Sequence, residues 1–100
     1  MYSKRKFAVV FIATGLISCA SALYIPTQND ATAQKTTLEK LQQGRTLYIN
    51  KCAGCHNLYL PSSYTNKAWT PILERMQQPA RITDSEKELI GAYLETNSKK

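Results

Sequence analysis

The sequence predicts an all-α fold, a small domain of three to four helices, on three observations. Thr36-x-x-Glu39 and Thr83-x-x-Glu86 are capping-box patterns, and each opens a stretch whose apolar residues recur three and four positions apart. No β-branched or alternating run is long enough to read as a strand, and no internal repeat is visible. Between the two helical stretches lies Cys52-Ala53-Gly54-Cys55-His56, a C-x-x-C-H element. On an exported chain this string points to haem attachment: two thiolates add across the haem vinyl groups as thioethers, and the adjacent imidazole becomes the proximal ligand of the iron.

The export signal is at the N-terminus. Lys4-Arg5-Lys6 precedes an apolar run from Phe7 to Ser18, a basic region and a core too short for an ordinary transmembrane helix. Residues 1–18 therefore read as a signal peptide. Leu16-Ile17-Ser18-Cys19 has the form of a bacterial lipobox, with cleavage before Cys19 and lipid on its sulfur. Ala20-Ser21-Ala22 is a competing A-x-A site, whose cleavage after Ala22 would release a soluble periplasmic chain. The expected location is the periplasmic face of a bacterial cell envelope, reached through a lipid anchor on Cys19. One thiol for lipid and two for haem would leave none unassigned in an oxidising compartment.

Zinc and redox-dithiol chemistry fit the C-x-x-C pair less well. A structural zinc site takes four Cys or His ligands, and the chain has one histidine and three cysteines, one of them in the export signal. A thioredoxin-like dithiol sits in a βαβ unit, and no strand pattern flanks Cys52. Nucleic-acid binding is poorly motivated. Loss of the signal removes three of the thirteen basic residues and none of the seven acids, so the formal charge falls from +6 to about +3, on scattered bases. Lys51, Lys67 and Lys87 are candidates for a weak steering patch toward an acidic redox partner, or are solvated surface lysines.

About 82 residues follow the signal, room for one domain with a modest core, so haem would supply part of the apolar interior. Residues 19–35 are polar and read as a flexible tether; residues 36–100 form the domain. A first helix is expected at about 37–50, with Leu38, Leu41 and Tyr48 on one side, and Gly44 inside it either marks a close helix crossing or is simply tolerated. Residues 57–67 read as a loop around the haem edge. Thr70 as N-cap, Pro71 at the first helical position and Pro79 as a stop define a short helix at 71–78. The last helix runs from Thr83 to Thr96 and buries Leu89, Ile90, Tyr93 and Leu94.

With no second histidine, the candidate sixth ligand is Met76, the one methionine left when Met1 departs with the signal. A connection of about 19 residues from His56 reaches ~60 Å when extended, enough to round the haem edge. Against this, a helical methionine is more often core filling, which would leave the iron five-coordinate or ligated by a lysine. Trp69 reads either as a haem-edge residue with its indole N–H on a propionate or as core; Arg75 either neutralises a propionate or faces solvent. Tyr59 and Tyr64 are similarly open. The Pro61 carbonyl either accepts from the free ring nitrogen of His56 or only shapes the turn.

Leu41 to Tyr48, then CAGCH, then Trp69 through Met76, then Glu86 to Leu94 together resemble a small class I c-type cytochrome of the single-haem kind. The resemblance covers about 60 residues. It implies a cytochrome c-like fold whose first and last helices cross through a glycine and aromatics, here Gly44, Tyr48 and Tyr93. The connection from His56 to Met76 and the chain after it are shorter than the family pattern. The resemblance further implies a one-electron carrier with His56 and Met76 as axial ligands, working between a donor dehydrogenase or quinol oxidoreductase and an acceptor reductase. Competing readings are a five-coordinate gas sensor, a peroxide-reactive enzyme, against which the lack of a distal histidine weighs, and an electron-entry subunit of a larger oxidoreductase.

Overall fold

The computed structural model describes residues 23–52 and 58–100, and these are helical: α1 (Gln28–Ala33), α2 (Leu38–Cys52), a 3₁₀ turn (Pro61–Ser63), α3 (Asn66–Ala80) and α4 (Asp84–Thr96). Among the described residues there is no strand, and one isolated parallel bridge joins Thr65 to Lys99. The expected signal peptide (residues 1–18), Cys19, and residues 53–57 with Cys55 and His56 lie outside the described residues.

α2 and α4 form the main crossing. A Cβ on Gly44 would run into the Leu89 carbonyl oxygen and stand 3.0 Å from the Tyr93 Cβ, so the two backbones approach to a distance that only glycine permits. Around this contact Leu41, Ile90, Tyr93 and Leu94 are fully enclosed, while Leu38 and Leu89 are only half-buried. α4 starts where expected. The Thr83 hydroxyl accepts from Glu86 N at 3.1 Å and the Glu86 carboxylate accepts from Thr83 N at 2.9 Å, the reciprocal capping box.

The start of α2 differs by one residue. The Thr37 hydroxyl, not that of Thr36, accepts from Lys40 N at 3.1 Å. α3 differs more. It begins at Asn66, capped by the Thr65 hydroxyl accepting from Ala68 N at 3.0 Å, so Thr70 is an interior residue and Pro71 stands in the second turn. Proline at that position lacks one helical donor, and the Thr70 hydroxyl turns back to the Asn66 carbonyl at 3.3 Å. Pro79 does not stop the helix; Arg81 does. Its φ of 58° is left-handed, and Ile82 N donates to Gln77 O while Arg81 N donates to Gln78 O, a Schellman closure that tucks Ile82 into the core.

Residues 23–35, expected as part of a flexible tether, are built into the domain. Leu23 belongs to the main apolar cluster and Pro26 and Ala31 are buried. The Tyr24 carbonyl accepts from Arg45 Nε at 3.0 Å and from the Tyr93 hydroxyl at 2.7 Å. Gln34 Nε2 donates to Ala92 O at 3.2 Å. α1 has its own capping box, Thr27 with Asp30, in which aspartate takes the place usually held by Glu or Gln.

Candidate functional site: a cleft at the end of α2

α2 ends at Cys52, whose side chain is half-buried beside a cavity of about 280 Å³. The opposite wall is one face of α3, where Trp69, Ile72, Leu73, Met76 and Ala80 follow one another at helical spacing. Tyr48 closes the floor, Leu58, Tyr59 and Tyr64 bring in the connecting segment, and Lys51 and Arg75 place two cations in the lining. Cys52, Trp69, Arg75 and Met76 therefore meet around one cleft; Cys55 and His56 are outside the described residues.

Aromatic rings form much of the lining. Tyr64 meets Trp69 edge to face at 5.0 Å between centroids, Tyr59 meets Tyr64 at 5.5 Å, and Tyr48 meets both Trp69 and Tyr93 at 6.1 Å. The Tyr48 hydroxyl donates to the Tyr59 carbonyl, tying α2 to the segment after the C-x-x-C-H motif. Burial, and after it the negative charge of the neighbouring Cys52, push the Tyr48 phenol well above its ordinary 10.0, so it is a neutral donor at any physiological pH.

Trp69 is 3% exposed and its indole N–H donates to Pro61 O at 2.9 Å. The ring lines the cleft, but its N–H is directed to the backbone and not toward a propionate, and the Pro61 carbonyl takes its hydrogen bond from Trp69. Arg75 is exposed at the rim, which suits the propionate role. Of the three steering lysines, Lys51 lines the cleft, Lys67 is exposed at the start of α3, and Lys87 pairs with Glu74 at 2.8 Å across α3 and α4. A helix taken to start at 71 and stop at Pro79 leaves out Trp69 and Ala80 as parts of the wall. Extended back to Thr65, the i, i+3, i+4 pattern from Trp69 is legible in the sequence.

The chemistry of this lining fits a haem. Apolar and aromatic walls suit the macrocycle, two cations in the lining suit its propionates, and a cysteine stands at the end of the helix leading into the attachment motif. These features are the ones a c-type cytochrome requires of its described residues. A family model described as "DHC: Dihaem cytochrome c" matches residues 48–100, and the chain belongs to that family. Neither a curated protein nor a solved structure is found to match. The match supports haem c and an electron-transfer role, within an all-α cytochrome fold. It does not support the single-haem class I kind expected from the sequence, since the family name speaks of two haems, whereas the 100 residues hold one C-x-x-C-H motif.

Proposed function

We propose that the chain is a one-electron carrier holding one haem c, attached through Cys52 and Cys55 and ligated axially by His56 and Met76. The observation that carries this reading is that Met76, remote in sequence from the attachment motif, shares a cleft with Cys52. When bound, haem supplies a reversible one-electron couple, and a thioether as sixth ligand favours the ferrous state. The residues around it hold and shield it. Trp69, Leu73 and Tyr48 exclude water from the inner wall, and Lys51 and Arg75 balance charge at the rim.

The reading extends to the envelope. Residues 1–18 act as an export signal and Cys19 carries lipid, placing the domain on the periplasmic side, where it exchanges electrons with a membrane dehydrogenase or quinol oxidoreductase and with a reductase. Both processing sites, before Cys19 and after Ala22, lie just upstream of Leu23, the first core residue described, which favours a mature domain beginning there. Counting haem iron per chain on the matured protein, with a potentiometric titration, tests the reading. One iron per chain and a single reversible one-electron wave are expected; two irons, or no reversible wave, contradict it.

A further inference from the structure

The packed N-terminal segment changes what a lipid on Cys19 would do. A tether over residues 19–35 would let the domain roam up to ~60 Å from its anchor. In the structure the chain is already fixed at Leu23, which is 3% exposed within the apolar cluster. Only Ala20, Ser21 and Ala22 separate it from Cys19, an extended reach of about 14 Å. The segment is then held to α2 and α4 through Tyr24 O, which accepts from Arg45 and Tyr93, and through Gln34, which donates to the Ala92 carbonyl, while the Tyr24 hydroxyl on Asp30 at 2.8 Å braces it internally. A lipid on Cys19 would pull on α2 and α4 almost directly.

One side chain in this segment points the other way. Ile25 is 64% exposed, flanked by Tyr24 and the buried Pro26. A lone exposed isoleucine needs no explanation on most surfaces, but this one stands six residues from the lipid-bearing cysteine, within reach of the surface the lipid enters. None of the described residues 23–34 lines the haem cleft, which is built from the end of α2, the segment 58–64 and α3.

We propose that residues 23–34 are a strap that holds the domain against the lipid bilayer in one orientation, with Ile25 seated in the interface and the haem cleft kept clear of it. The inference rests on the lipid-anchor reading. It makes the carrier a fixed relay at the membrane surface, meeting partners that approach along the bilayer, and not a head on a long leash. The occupant of the Ile25 face is the bilayer.

The haem itself reports orientation. The matured full-length protein, reconstituted in oriented planar bilayers, is measured by polarised absorbance in the Soret band, with mass spectrometry of its N-terminus. A lipidated chain with clear dichroism, lost when a flexible Gly/Ser stretch is inserted between Ala22 and Leu23 although membrane binding persists, is the expected result. Ile25→Ser should weaken the dichroism without altering haem content. A lipidated wild-type chain with no dichroism, or dichroism that survives the insertion, overturns the strap alone. A mature chain without lipid overturns both the strap and the anchor on which it rests.

Discussion

The indole of Trp69 joins α3 to the 3₁₀ turn through a single buried hydrogen bond to Pro61. Trp69→Phe keeps most of the ring area and strands a buried carbonyl, which costs about 1–3 kcal/mol. A lower denaturant midpoint with an unchanged haem potential is expected; a large shift in potential would instead place the N–H on the cofactor. Tyr48 carries a pH signature. Its folded pKa lies above the ordinary 10.0 because it is buried, and that cause persists when Cys52 becomes a thioether and loses its charge. Its contribution to stability is present below pH 10.0 and is lost as pH rises from there toward the folded value, since the unfolded phenol ionises first. Alkaline unfolding followed by circular dichroism should show this loss, and Tyr48→Phe should flatten it.

At the scale of elements, the α2–α4 crossing depends on one missing methyl group. Gly44→Ala adds helix propensity worth about 1 kcal/mol but drives a Cβ into the Leu89 carbonyl, and overpacking of this kind costs about 1–3 kcal/mol or more. A lower melting temperature is expected, and a rise would mean that the helices are not in contact there. This crossing was legible because a glycine inside a helix suggests a close approach, and the cytochrome resemblance named the last helix and Tyr93 as its partner. α4 was legible through its capping box. The true start of α3 was not, because Thr70-Pro71 is the commoner start signal, while the Thr65 cap before Asn66 is quieter and tertiary packing of Trp69 carries the extra turn. The packing of residues 23–35 was not legible either, because its main polar anchor is a single backbone carbonyl, that of Tyr24, which leaves no mark in composition.

For the whole molecule, the cleft means that part of the core is contributed by the cofactor. Tyr48, Trp69 and Leu73 belong at once to the protein core and to the cavity wall, so preventing attachment should loosen the entire domain. A Cys52→Ala/Cys55→Ala double variant is expected to show reduced helicity and a broadened urea transition; a fully cooperative apo domain of unchanged midpoint would contradict the coupling. In the proposed carrier, His56 and Met76 close both faces of the iron. The most direct test is the optical spectrum of the matured protein, ferric and ferrous, with and without carbon monoxide, beside Met76→Ala. Wild type is expected to show a methionine–iron charge-transfer band and no carbon monoxide binding, with the band lost and carbon monoxide bound in the variant; ready binding by wild type would contradict His/Met ligation, leaving an open iron and a gas-binding or catalytic protein in place of an electron carrier.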